Sequence, residues 1–158
     1  QRIDVKRNNI VNTHMHKISR WIVNYCLDNN IQNIVIGKNH DWKRNSKMNN
    51  VSNKRFVQIP FEDLINKIKY KAEENGIKVI IVDEKYTSKA SFIDNDDLSG
   101  EYEFSGKRIY RGLYKSKDGT LINADVNGSY NILRKGNPGF SYDRIKGLSL
   151  IPIRLNIA

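Results

Sequence analysis

The sequence predicts an α/β protein, because two short runs rich in β-branched residues are separated by an amphipathic helical pattern. The runs are residues 33–37 and 77–82, and the helical pattern between them begins near Pro60 and ends near Gly76. A strand, helix, strand succession of this length is typical of a parallel pair joined by a right-handed crossover. Because both runs are almost continuously apolar, we expect both strands to be buried on both faces.

A further helix is predicted near the N-terminus, over residues 15–28, with Thr13 as its N-cap. The pattern rests on apolar residues that recur at spacings of three and four, namely Met15, Ile18, Ile22 and Cys26, with Trp21 and Tyr25 beside them. A short polar stretch at residues 28–30 separates this helix from the first strand. The first half of the chain is therefore expected to read helix, strand, helix, strand.

Beyond the second strand the pattern changes to short strands with turn signals. Ser105-Gly106 and Asp118-Gly119 flank a candidate strand over residues 107–114, and a return strand follows at residues 121–122. Gly-containing pairs of this kind are typical of tight β-turns, so we expect a β-ribbon. A final helix is predicted over residues 124–134, with Asp125 in its first turn.

Composition indicates a globular protein, and its charge suggests a polyanionic partner. The chain has 158 residues, near the commonest domain length, with 39% hydrophobic and 28% charged residues, which excludes disordered and fibrous classes. There are 27 Lys and Arg against 17 Asp and Glu, a net charge of +10. A charge imbalance of this sign favours a nucleic-acid partner.

The single cysteine and the absence of long apolar runs limit the expected cellular compartment and the kinds of site the chain can form. Cys26 alone cannot form an intramolecular disulfide or a cysteine-based zinc site. No run approaches the roughly 20 apolar residues that a membrane-spanning helix needs. We therefore expect a cytoplasmic protein with no membrane partner.

A long basic segment is the first candidate for nucleic-acid binding. Residues 38–55 are polar and carry no apolar periodicity, and loops of this length in compact domains tend to be functional or mobile. The lysine and arginine side chains of this segment could contact phosphates, and its one tryptophan ring could stack on a base. The alternative is a solvated loop whose tryptophan packs back on the protein. The candidate binding residues are Trp42, Lys43, Arg44, Lys47, Lys54 and Arg55.

Two acidic positions are the candidates for catalysis. Asp83 and Glu84 follow the second strand, at the strand end where open α/β sheets place their ligand sites. Since successive strand residues face opposite ways, one of the two is expected to face such a site. Glu84 and Asp125 could converge on divalent metal, as in two-metal phosphodiester hydrolysis. The spacing alone leaves open an alternative without catalysis, in which Glu84 is an exposed acid beside a strand end and Asp125 is an ordinary acid in the first turn of a helix.

Two strings resemble the paired signatures of TnpB-type (OrfB) transposon-encoded proteins. They are Tyr86-Thr-Ser-Lys-Ala-Ser-Phe and Asn123-Ala-Asp-Val-Asn-Gly-Ser-Tyr-Asn-Ile-Leu, in the same order and at a similar spacing. Three flanking pieces agree with the resemblance, which extends to about Lys135: His16-Lys-Ile-Ser-Arg-Trp-Ile-Val, Ile34-Val-Ile-Gly-Lys-Asn and Tyr70-Lys-Ala-Glu.

The resemblance implies a nuclease fold and a nucleic-acid-guided activity. TnpB-type proteins are known as transposases and are RNA-guided DNA endonucleases related to type V CRISPR effectors. The resemblance therefore implies a partial RNase H-like (RuvC-like) fold, DNA and guide-RNA partners, and a bacterial host. It implies three carboxylates that hold magnesium or manganese. By motif position, Asp125 is one of them and Asn127 has a supporting role.

The position of the family's catalytic glutamate differs here. The family places that glutamate at the end of the first strand of this unit, where this chain has Gly37. The site is then either inactive or rebuilt with another acid. Glu84 ends the neighbouring strand, and we expect its carboxylate to approach the vacated position. We therefore assign both catalysis and metal binding to Glu84 and Asp125.

The family's zinc ribbon also departs from its usual pattern. The first pair of zinc-ligand positions holds Ser91 and Asp94, and residues 111–114 contain no cysteine. We therefore predict no zinc, and an inserted metal-free β-ribbon instead of a zinc ribbon. The ribbon is expected to be closed by aromatic packing of Phe92, Tyr102, Phe104, Tyr110 and Tyr114.

The predicted organisation has four parts. Residues 1–85 form a portion of the RuvC-like core, 86–123 the ribbon, 124–135 the final helix and 136–158 a tail. Because residues 1–12 show no counterpart of the family's first aspartate motif, we expect the C-terminal part of a larger nuclease, unable to cleave DNA alone. Two alternatives remain: a non-catalytic nucleic-acid-binding module or regulator derived from such a nuclease, and a protein-interaction domain with incidental charge.

Overall fold

The computed structural model describes residues 2–39, 60–144, 147 and 149–154. Within these ranges the chain forms two compact units. One contains residues 2–34 and 60–79, and the other contains residues 35–39, 80–144, 147 and 149–154. No helix in these ranges is long and apolar enough to cross a membrane.

The first unit is built from two helices that pack together. Helix α1 spans Arg2–Asp28 and helix α2 spans Phe61–Glu73. Their apolar faces enclose a small core that contains Val23, Cys26, Ala72 and Ile77. The pattern of residues 60–76 predicted α2 closely, and Gly76 follows it with a positive φ of 72°, a conformation that favours glycine.

Helix α1 begins earlier than the sequence indicated. It starts at Arg2, so the predicted N-cap Thr13 is wrong. The Thr13 hydroxyl instead donates to the carbonyl oxygen of Asn9, one turn back, at 2.8 Å. No glycine or proline interrupts the first 30 residues, and polar side chains on an exposed face do not end a helix.

The two predicted strands form and pair. Strand β1 spans Asn33–Lys38 and strand β2 spans Lys78–Asp83, and they are neighbours in a two-stranded sheet. The expectation that both faces are buried is wrong, since β1 is half-buried and Ile81 of β2 is 43% exposed. Within the described residues, the elements that pack on this pair of strands do not cover both of its faces.

The predicted ribbon is a three-stranded antiparallel sheet. Its strands are β3 (Lys107–Tyr110), β4 (Leu113–Lys115) and β5 (Leu121–Asn123), with β4 in the centre. The single strand expected over residues 107–114 is split by a hairpin at Gly112, whose φ is +87°. Tyr114 pairs with Arg108 on one side and Ile122 on the other.

Helix α3 spans Ala124–Gly136 and packs against the three-stranded sheet. The core between them contains Ile93, Tyr114, Ile122 and Ala124, and all four residues are buried. Part of the tail completes this core: Leu150 packs on it, and its carbonyl oxygen accepts a hydrogen bond from the Asn123 backbone at 2.8 Å.

In the second compact unit, the aromatic residues that are buried differ from those expected to close the ribbon. Phe92 and Tyr114 are buried, as expected, and Phe104 is half-buried against Tyr86. The expectation for Tyr102 and Tyr110 is wrong, since they are 70% and 63% exposed. Phe92 instead contacts rings beyond the ribbon, with centroid distances of 4.9 Å to Tyr130, 5.3 Å to Phe140 and 6.2 Å to Tyr142.

Candidate carboxylate site

Glu84 lies directly after β2, and its side chain is half-buried beside Gly37 of β1. A Cβ atom placed on Gly37 would lie 3.2 Å from the Glu84 Cβ and 2.7 Å from Cδ1 of Ile132. Real Cβ atoms almost never approach a neighbour as closely as 2.7 Å, so a side chain at residue 37 would require the Ile132 side chain to shift. The first predicted catalytic residue therefore stands next to the strand position that glycine leaves vacant.

The turn that carries Glu84 is closely held. Its carbonyl oxygen accepts hydrogen bonds from the backbone N–H of Thr87 at 3.1 Å and from the Thr87 hydroxyl at 2.7 Å. Tyr86 has a φ of +68°, which is unusual for a bulky side chain. Backbone strain of this kind persists only where surrounding contacts enforce it, and it occurs often at functional sites.

Asp125 lies in the first turn of α3 and is open to solvent. The helix is capped by Asn123, whose side-chain oxygen accepts hydrogen bonds from the backbone N–H groups of Asp125 at 2.9 Å and Val126 at 3.1 Å. The Asp125 side chain is 88% exposed, and one of its oxygens lies 3.9 Å from the Arg108 guanidinium. An exposed carboxylate at this distance from a cation gains little stability from it.

The donor chemistry of the two acids fits Mg²⁺ or Mn²⁺, because carboxylate oxygens are the ligands that these hard cations prefer. Both acids belong to the second compact unit. The set is incomplete within the described ranges, which contain no group of three or more His, Cys, Asp or Glu side chains that could hold a metal ion. A complete site would need at least one ligand in addition to Glu84 and Asp125.

Asn127, the predicted supporting residue, is fully buried and bonds to the segment after the Tyr-Thr-Ser motif. Its Oδ1 accepts a hydrogen bond from the Phe92 backbone at 2.9 Å, and its Nδ2 donates to the Ala90 carbonyl at 2.8 Å. Asn131, one turn later, donates to the carbonyls of Ala90 and Thr87. Asn131 was not among the predicted site residues, although a spacing of four on a helix places it beside Asn127.

The nucleic-acid-binding residues predicted between Trp42 and Arg55 lie outside the described residues. Elsewhere the structure presents a basic and aromatic surface that was not among the predicted binding residues. It lies on the edge strand β3 and the following hairpin, where every side chain is exposed. We name this the β3 surface, and it consists of Lys107, Arg108, Ile109, Tyr110 and Arg111.

Hydrogen bonds surround the positions that the resemblance assigns to zinc ligands. The Ser91 hydroxyl accepts from the Asp94 backbone at 3.3 Å, and Asp94 accepts from the Lys117 backbone at 2.9 Å. The neighbouring Asp96 is buried and accepts from the backbone of Ser91 at 2.7 Å and of Ser105 at 3.0 Å. One buried carboxylate thus joins two loops of the ribbon.

Replacing Asp96 with alanine is expected to lower the free energy of unfolding by about 2–3 kcal/mol, because two backbone donors lose a charged acceptor. Urea denaturation followed by circular dichroism measures the change. Asp97→Ala is the matched control, since Asp97 is exposed and accepts hydrogen bonds from its near neighbours in the chain, among them Ser99. Equal losses in the two variants would contradict the assigned role of Asp96.

Comparison with known proteins defines the class of this chain. Residues 61–132 match the family described as Cas12f1-like, TNB domain. The chain is 35% identical over 138 residues to the CRISPR-associated endodeoxyribonuclease Cas12f1 of Sulfoacidibacillus thermotolerans, covering 82% of this chain and 29% of that protein. It is 34% identical over 76 residues to the TnpB-like protein ORF457 of Acidianus two-tailed virus, covering 48% of this chain and 15% of that protein.

The fold has a solved counterpart. A chain in the cryo-EM structure of the Cas12f1–sgRNA–target DNA complex superposes with a TM-score of 0.62 at 21% identity, covering 82% of this chain and 35% of that one. The shared α/β fold agrees with the sequence matches. This chain is therefore a TnpB-type protein related to Cas12f1, as the two sequence signatures predicted. It spans about a third or less of the relatives that it matches.

Proposed function

We propose that this chain is the C-terminal nuclease portion of an RNA-guided, metal-dependent DNA endonuclease with a RuvC-like fold. In this proposal Glu84 and Asp125 hold divalent metal, and a further carboxylate comes from another part of the complete protein. The observation that carries the proposal is the position of Glu84, whose Cβ lies 3.2 Å from where a Gly37 side chain would begin. An acid that directly follows β2 can therefore take the place of an acid on β1.

In this proposal the two acids bind the divalent metal and fix its position. Bound divalent metal would supply Lewis-acid activation for phosphodiester hydrolysis. The half-buried Glu84 is held by its turn, and the Asn123 cap fixes the backbone of Asp125. Arg108 is within 3.9 Å of Asp125, so its guanidinium is placed to contact a phosphate that approaches this carboxylate. Guide-RNA pairing would select the DNA sequence.

A non-catalytic nucleic-acid-binding module is the second candidate. It is favoured by the incomplete ligand set of the described residues and by the cation next to Asp125. Measuring DNA binding and DNA cleavage together, with and without Mg²⁺, separates the two candidates. The nuclease cuts only when the metal is present, whereas the binding module binds under both conditions and never cuts.

The β3 surface is proposed to contact nucleic-acid phosphates. The double variant Lys107→Glu, Arg111→Glu is expected to weaken DNA binding and to reduce the slope of log affinity against log salt by about 1.4–1.8, for two lost phosphate contacts. Titrations at several salt concentrations give this slope. The matched control is Lys69→Glu, Lys78→Glu, which makes the same charge change at two exposed lysines outside the ribbon. Similar slopes for the two double variants would exclude the β3 surface as a phosphate contact.

A further inference from the structure

The side chain of Lys135, near the end of α3, bonds to the turn that carries Glu84. Its ammonium donates to the backbone carbonyl oxygens of Asp83 at 2.9 Å and Lys85 at 2.8 Å. These carbonyls belong to the residues immediately before and after Glu84. One ammonium group therefore holds the backbone on both sides of the predicted metal ligand.

The end of α3 is fixed where Lys135 makes these bonds. A Cβ on Gly136 would lie 2.6 Å from the Val35 side chain, so the helix approaches β1 as closely as glycine allows. One turn earlier, Ile132 fills the space beside Gly37. Close packing against β1 on both sides of Lys135 fixes the helix backbone from which its side chain extends.

The same helix carries the second predicted ligand. Asp125 lies in the first turn of α3 and Lys135 in its last, ten residues later, or about 15 Å along a rigid helix. The N-terminal end of α3 thus presents one acid, and its C-terminal end holds the turn of the other.

From this geometry we propose that Lys135 is a positioning residue, which sets the backbone of Glu84 so that its carboxylate and that of Asp125 bind one metal site. This role rests on the proposed nuclease function. Lys135 itself touches neither metal nor substrate. Groups that orient metal ligands through hydrogen bonds commonly change metal affinity by 10- to 100-fold when they are removed.

The test uses the complete protein with guide RNA and target DNA. Lys135→Met is expected to raise the Mg²⁺ concentration for half-maximal cleavage about tenfold, and Lys135→Arg, which keeps a cationic donor, is expected to restore most of the affinity. Lys78→Met, which removes an exposed ammonium from the first residue of β2, is the matched control and should leave this concentration unchanged. A role in folding alone would lower the rate equally at every Mg²⁺ concentration.

A second readout does not depend on cleavage. Mn²⁺ binding to the protein–guide RNA complex, measured by electron paramagnetic resonance, should weaken about tenfold in Lys135→Met. Asp125→Asn, which lacks a proposed ligand, gives the signal of Mn²⁺ bound elsewhere in the complex. Unchanged metal affinity in Lys135→Met, while Glu84→Gln and Asp125→Asn both lose cleavage, would overturn the role of Lys135 and leave the nuclease proposal intact. If Glu84→Gln and Asp125→Asn both cleave like the wild type, the nuclease site itself is wrong, and the role of Lys135 falls with it.

Discussion

Glu84→Gln and Asp125→Asn should each lower the rate of target-DNA cleavage by the complete protein about a hundredfold or more. Each substitution removes an anionic metal ligand at nearly constant volume, and metal-ion catalysis contributes several kcal/mol to stabilising the transition state. The Asp125 side chain is 88% exposed, so its loss costs the fold little. Single-turnover cleavage at saturating guide RNA and Mg²⁺ measures the effect.

DNA affinity in the same variants separates catalysis from binding. Neither acid belongs to the β3 surface, and a carboxylate gives no favourable contact to a phosphate, so binding without metal should stay within a few-fold of the wild type. A parallel loss of binding and cleavage in both variants would indicate damage to the nucleic-acid interface and would contradict the metal-ligand assignment.

Phe92→Ala is expected to lower the free energy of unfolding by about 3–5 kcal/mol, the range for removing a fully buried phenylalanine. Phe92 is 0% exposed and contacts Tyr130 of α3 and the Phe140 and Tyr142 rings that follow it. The substitution leaves a cavity among these three rings. Urea denaturation of the 158-residue chain measures this loss: the midpoint urea concentration falls while the m value stays constant, and their product gives the free energy of unfolding.

An exposed aromatic residue of the same unit provides the comparison. Tyr102 is 70% exposed, and Tyr102→Ala should change the free energy of unfolding by no more than about 0.5 kcal/mol. If Phe92→Ala costs no more than Tyr102→Ala, the aromatic cluster does not hold α3 in place.

Local patterns predicted most of the regular elements. The apolar spacing of residues 60–76 gave α2, the two β-branched runs gave β1 and β2, and Asp125 lies in the first turn of α3 as expected. The N-terminal end of α1 and the hairpin at Gly112 were missed. In the first case polar residues gave no periodic signal, and in the second Gly112 was taken as part of one strand over residues 107–114.

Burial was harder to predict than secondary structure. Tyr102, Tyr110 and Phe92 are all large aromatic residues near the ribbon, and the fold buries only Phe92 among them. Which ring is buried depends on α3 and on the residues after it, which lie far along the chain. The same reason hid Asp96 and Asn131, whose hydrogen-bond partners are backbone groups of other segments.

The candidate site was predictable in part. The strand-end position made Glu84 a candidate, and the resemblance to TnpB-type proteins made Asp125 a candidate. The sequence could not indicate that Ile132 and Glu84 close the space beside Gly37, or that Lys135 bonds on both sides of Glu84. These contacts depend on how α3 packs against β1, and helix packing is set by tertiary structure.

The most direct test of the central claim is target-DNA cleavage by the complete protein with guide RNA and Mg²⁺, comparing Glu84→Gln with Asp83→Asn. The two acids are adjacent, but Glu84 is half-buried beside Gly37 and Asp83 is exposed. We predict that Glu84→Gln loses cleavage and keeps DNA binding, while Asp83→Asn cuts like the wild type. Wild-type cleavage by Glu84→Gln would contradict the claim that this acid has replaced the one missing at Gly37.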